Sequence, residues 1–168
     1  MKTKELAYAG IGAAIVFVSG YYLKFNVLNG YYNLEDSVIL ILAFVMESPI
    51  VFACSIGAGL CDLLSGSAIY TIPSMLIYGI CGISAFYIIK SLRTKIGEFK
   101  AYFSALIVCE IIVIMGYVLT FSILYGLSDF RGVSLFYLVQ AGINIVTALI
   151  AYPFAVRIKK ALKPNHNY

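Results

Sequence analysis

The 168-residue chain has no tryptophan and a single histidine, His166, placed in a polar C-terminal tail. A histidine-based metal site or a Ser-His relay is therefore not available within its apolar part. Cysteine occurs four times, at Cys54, Cys61, Cys81 and Cys109, never at Cys-x-x-Cys spacing. All four read as small buried hydrophobes, with no case for a disulfide or a metal. No Gly-x-x-x-x-Gly-Lys string is present, so the chain is not expected to hydrolyse ATP itself. Charge is scarce: Asp, Glu, Lys and Arg make up 12% of the residues, about half the share of a soluble domain.

Apolar side chains fill the space. The chain is 62% hydrophobic, with a mean hydropathy of +0.95. A soluble core of this size cannot hide that much apolar surface, so the solvent is expected to be lipid. Breaks in hydropathy divide the chain into six segments, residues 6–25, 34–47, 50–65, 70–89, 102–125 and 133–156. About twenty residues at ~1.5 Å each cross ~30 Å of hydrocarbon. The expected fold is all-α: one membrane domain over residues 1–168, a compact bundle of six transmembrane helices. Segments two and three are short and also fit a re-entrant hairpin, which leaves the parity unchanged. The first run is too long for a cleavable signal peptide, and Gly20-Tyr21-Tyr22 is a poor cleavage site.

Lysine and arginine orient the bundle. With both termini cytoplasmic, Lys2, Lys4, Lys90, Arg93, Lys95, Lys100, Arg157, Lys159, Lys160 and Lys163 fall inside. Only Lys24 and Arg131 of the twelve fall outside. The net charge of +4 is then a matter of topology, and no nucleic-acid partner is expected.

Polar residues at membrane depth are functional candidates, because desolvating them is costly. Glu110 lies in the middle of segment five, with Tyr117 two helical turns on and Thr120 beyond it. Segment six carries Tyr137, Gln140, Asn144 and Thr147 as one stripe, and segment four a weaker stripe of Tyr70, Ser74 and Tyr78. Glu110, Tyr117, Gln140 and Asn144 are expected to line a binding site, with Tyr78, Asn33 and Asp36 as further candidate contacts. Each has a structural alternative. Tyrosines anchor at interfaces, Gln140 and Asn144 can join helices, and Asp36 can cap its own helix. Asp62, near the outer end of segment three and followed by Ser65-Gly66-Ser67, is expected to hold the turn that shapes a lid. Gly57-Ala58-Gly59 points to close helix packing.

Asn33-Leu34-Glu35-Asp36, then Gly57-Ala58-Gly59-Leu60-Cys61-Asp62-Leu63-Leu64-Ser65-Gly66, then Tyr70-Thr71-Ile72-Pro73 together resemble the substrate-binding S component of energy-coupling factor (ECF) vitamin transporters. Glu110, Gly116-Tyr117 and Gln140 are similar to the branch that includes pyridoxine and hydroxymethylpyrimidine binders. That branch commonly has glycine at Glu35, lysine at Tyr78 and asparagine at Tyr137. The resemblance implies a substrate site near the outer face, covered by the loops after segments one and three. It also implies a transmembrane coupling subunit and two cytoplasmic ATPases that hydrolyse the ATP, no cofactor of the chain's own, and a bacterial-type cytoplasmic membrane. Ala9 and Ala13, and Gly10 and Ala14, recur at four-residue spacing on segment one, where small residues allow close helix approach. Packing within the chain would produce the same spacing and is the slightly better reading of the residues alone. Resemblance to S components, which dock their coupling subunit on an Ala-x-x-x-Ala-like surface here, favours a partner. A stand-alone secondary transporter or channel using Glu110 as a proton or cation site is the alternative. An enzyme is not expected, for want of a catalytic pair.

Overall fold

The computed structural model describes residues 3–27, 30–46, 48–126 and 130–162. Among the sequence landmarks, Lys2, Glu47, Lys163 and His166 lie outside them. The described residues form six α-helices and one short hairpin: α1 (Thr3–Tyr22), β1 (Phe25–Val27), β2 (Gly30–Tyr32), α2 (Glu35–Met46), α3 (Ser55–Leu64), α4 (Thr71–Ile96), α5 (Glu98–Tyr125) and α6 (Phe130–Leu162). Short 3-10 segments, Pro49–Cys54 and Ala68–Tyr70, lead into α3 and α4.

Four helices, α1, α4, α5 and α6, are long and apolar enough to cross a membrane. The other two departures from six equal segments have local causes. α2 has 12 residues, roughly 18 Å at 1.5 Å per residue, well short of ~30 Å of hydrocarbon. Segment three divides into the 3-10 turn, opened by Pro49 with Ser48 Oγ accepting from Ile50 N at 3.4 Å, and the ten-residue α3. Segment one ends at Tyr22, three residues before the expected Phe25, because the chain turns into the antiparallel hairpin that pairs Phe25 with Tyr32. The charged stretch 90–100 is no loop. α4 continues through it, Arg93 and Lys95 in its last turn complement the helix dipole, and Gly97 at φ +89° makes the whole reversal into α5.

Contacts between ends show the course of the chain. Lys24 at the end of α1 donates to Ser65 Oγ at the end of α3 (3.0 Å). Lys159 near the end of α6 pairs with Glu98 at the start of α5 (2.5 Å). One end of the bundle therefore gathers the hairpin, the α3–α4 junction, the end of α5 and the first turns of α6, and the other gathers Gly97 and the C-terminal part of α6. The core between them is built on Phe44, Tyr78, Tyr102 and Leu106, all essentially inaccessible. The outward faces are apolar as well: Ile11, Ile15 and Val18 on α1, and Val146, Ile150 and Phe154 on α6, as a lipid solvent requires.

Small residues set the closest crossing. A Cβ at Gly57 would collide with the carbonyl oxygen of Ala13 and with the Phe17 amide, so α3 lies backbone against backbone on α1. Gly20 leaves room for the Glu35 carboxyl in the same way.

Candidate functional site

Because α2 begins deep in the bundle, it leaves a space above its first turn. There a cavity of about 690 Å³ opens between the hairpin, the α3–α4 junction and the outer turns of α5 and α6. Its wall is aromatic: Tyr31, Tyr32, Tyr70, Tyr78, Tyr117 and Tyr137, with Phe121 and Phe136. Tyr117 and Tyr137 stack with centroids 4.8 Å apart and planes 8° off parallel, and Tyr32 stacks on Phe136 at 4.6 Å. Asn33, Asp62 and Gln140 supply polar atoms to the lining. Among the described residues it contains a carboxyl group and no lysine or arginine.

The hairpin is held over the cavity by two polar contacts to the end of α3. One is Lys24 on Ser65. The other is Tyr31 Oη, which donates to Asp62 Oδ1 at 2.8 Å. Burial, and then the neighbouring Asp62 carboxyl, push the Tyr31 phenol up from its ordinary range, so it keeps its proton and remains a donor. The other Asp62 oxygen accepts a short bond from Ser74 Oγ, and Ser74 Oγ lies 2.6 Å from Tyr117 Oη. Hairpin, α3, α4 and α5 are thereby joined in one relay.

Beneath the cavity lies a second network. Asn33 Oδ1 accepts from Glu35 N at 3.3 Å, and this side-chain turn starts α2. Asp36, one residue on, is buried and accepts from Tyr78 Oη at 2.6 Å, Asn144 Nδ2 at 3.2 Å and, at 3.5 Å, Gln140 Nε2. Asn144 also holds Ser37, whose Oγ donates to its Oδ1 at 2.8 Å, and reaches the Asn33 carbonyl at 3.1 Å.

The sequence candidates separate along this line. Asn33, Tyr78, Tyr117 and Gln140 line the cavity, and so does Asp62, which also ties down the hairpin. Asp36 and Asn144 do not line it; they brace side chains that do. Glu110, expected among the lining, is 3% exposed and lies below the cavity, with neither carboxylate oxygen hydrogen-bonded. Ser65 is absent from the lining and anchors Lys24. On α1 the paired small residues part company. Ala9 is buried, with its carbonyl facing the Cys54 thiol, and Ala13 is pressed by Gly57. That face packs against α3 and the preceding 3-10 turn within the chain. Gly10 and Ala14 are exposed, and a Cβ on Gly10 would meet nothing. Tyr31, Tyr32 and Phe136 were not singled out by sequence. Their only advance sign is the abundance of aromatics, 14 tyrosines and 11 phenylalanines.

Long lipid-facing helices around one polar-aromatic cavity near the bundle's end define a multi-pass membrane protein that binds a solute. The family model described as ECF-type riboflavin transporter, S component, matches residues 1–163, and the chain belongs to that family. It is the substrate-binding membrane subunit of an ECF transporter, a component of vitamin uptake. The match supports an S component but not the pyridoxine- and hydroxymethylpyrimidine-like branch that the sequence motifs suggest. No curated protein matches the chain.

Proposed function

We propose that this subunit captures a flat, uncharged, multi-ring vitamin of the riboflavin type from the extracellular side and passes it inward within an ATP-driven importer. The tyrosine-walled cavity carries the reading. A space of about 690 Å³ falls within the range of drug-sized ligand sites, and stacked tyrosine faces suit an extended ring system. The Asp62 carboxyl and the lack of a basic lining residue disfavour a phosphorylated form. Asn33 and Gln140 supply donors and acceptors for ring amides.

Ten of the twelve basic residues support cytoplasmic termini, which place the cavity and hairpin outside. The chain has no nucleotide-binding motif, so transport rests on a transmembrane coupling subunit and two cytoplasmic ATPases. Exposed Gly10 and Ala14 offer the small-residue surface on α1 for the coupling subunit.

Riboflavin fluorescence provides the test. Titrating purified protein into riboflavin is expected to quench emission to a stoichiometric endpoint, with flavin mononucleotide and pyridoxine competing at least tenfold more weakly. Equal or better competition by pyridoxine would reassign the site to a single-ring vitamin. Riboflavin uptake into vesicles by the chain alone, collapsing with the proton gradient, would replace the importer with a secondary transporter.

A further inference from the structure

Among the described residues, Glu110 is the one buried carboxyl whose two oxygens both lack a donor. It sits on α5 at 3% exposure and interacts with Asp36 on α2. Asp36 is its opposite in bonding: Tyr78, Asn144 and Gln140 all donate to it. Three donors stabilise an anion, whereas a desolvated carboxylate with none is untenable beside another negative charge. The other titratable groups near the pair offer no relief. They are Tyr78 and Cys81 on α4, Cys109 on α5, Tyr137 on α6 and Glu35 on α2. None is basic. The two thiols are engaged elsewhere, Cys81 Sγ with the Cys109 carbonyl (3.6 Å) and Cys109 Sγ with the Cys81 carbonyl (3.4 Å). A metal cation is best held where several charged or imidazole ligands converge, and among the described residues no group of three or more His, Cys, Asp or Glu side chains does so.

We propose that Asp36 and Glu110 form a proton-binding site, in which a single proton is carried on Glu110 and donated to Asp36. The pair then bears one negative charge. The proton gives Asp36 a fourth donor and relieves its repulsion with Glu110, which fixes Tyr78 and Gln140, two cavity-lining side chains, from below. Glu110 is a positioning residue for the ligand site and not a ligand contact. Loss of the proton sets two charges side by side in a dry interior and releases both lining residues.

The site is tested on ligand-free protein in lipid nanodiscs, so its outcome does not depend on the identity of the vitamin. Infrared spectra at pH 7.5 are expected to contain the C=O stretch of a protonated carboxyl, shifted down in D₂O and removed in Glu110→Gln. The amide of Glu110→Gln donates one hydrogen permanently, so that variant is expected to keep the wild-type melting temperature, while Glu110→Ala loses it. Asp36→Asn, which exchanges a carboxylate acceptor for an amide carbonyl, is expected to move the band without abolishing it, and serves if Glu110→Gln does not fold. A spectrum without a protonated-carboxyl band, or a band that neither substitution alters, overturns the proposal. So does a melting temperature that climbs with sodium or potassium in wild type and not in Glu110→Gln, which would put a metal ion in place of the proton.

Discussion

Asn144 presents one amide to three residues around the start of α2. Its Oδ1 accepts from the Ser37 hydroxyl and lies 3.3 Å from the Ser37 amide, while its Nδ2 reaches Asp36 and the Asn33 carbonyl. Asn144→Ala would leave buried groups on α2 without partners at about 1–3 kcal/mol each. It is therefore expected to cost about 3 kcal/mol of stability, read as a lowered melting temperature in detergent, well beyond its effect on affinity in the ligand-saturated protein. Tyr31→Phe makes the contrasting case. It removes one hydrogen bond to Asp62 and leaves the ring on the cavity wall. A net loss of about 1 kcal/mol corresponds to roughly fivefold faster riboflavin release in stopped-flow fluorescence, with little change in melting temperature. Equal release rates would show that the hairpin is not held by this bond. Asn144 and Gln140 were visible in the sequence as amides on one stripe, but a stripe does not say which member meets ligand. That depends on depth relative to the start of α2, which the spacing along α6 does not contain.

At the scale of elements, two features of the site come from helices that are shorter or closer than usual. α2 starts late, after a hairpin and the Asn33 turn, and the space left above it becomes the cavity. α1 and α3 approach closely because Gly57 has no side chain to hold them apart. Gly57→Leu is expected to destabilise the protein outright, since the Ala13 backbone occupies the space required. The internal role of Ala9 and Ala13 leads to the same expectation for Ala9→Leu with Ala13→Leu. Gly10→Leu with Ala14→Leu lies on the exposed side of the same helix. That pair is expected to leave riboflavin titration unchanged and to abolish copurification with the coupling subunit. Normal copurification would move docking to another surface. The four-residue spacing of small side chains on α1 was plain in the sequence. Which of the two registers faces inward was not, because α1 is apolar around its whole circumference and offers no polar side to orient it.

For the molecule as a whole, the proposed topology, argued from the basic residues, has the Lys95 end of the bundle cytoplasmic and the Lys24 end outside. Single cysteines introduced at Lys24 and Lys95 in a background lacking the four native ones give a direct measure. An impermeant maleimide added to intact cells is expected to label the first and spare the second, and the reverse pattern would invert the protein. Membrane residence and the presence of long apolar spans were accessible from composition and hydropathy, because the free energy of placing apolar side chains in lipid is local and nearly additive along a segment. The S-component motifs were likewise contiguous strings. The hairpin, the reach of α4 through the charged stretch 90–100 and the aromatic wall were not accessible. Tyr31, Tyr70, Tyr117 and Tyr137 come from four separate parts of the chain, and only packing brings them around one space. Burial and hydrogen bonding are properties of neighbours in space: Asp62 gains its partners from Tyr31 and Ser74, 31 and 12 residues away in sequence, and the Glu110 oxygens receive no donor because of where α5 sets them. Those pairings are decided by how the helices pack, and they separate the residues that line the cavity from those that support it.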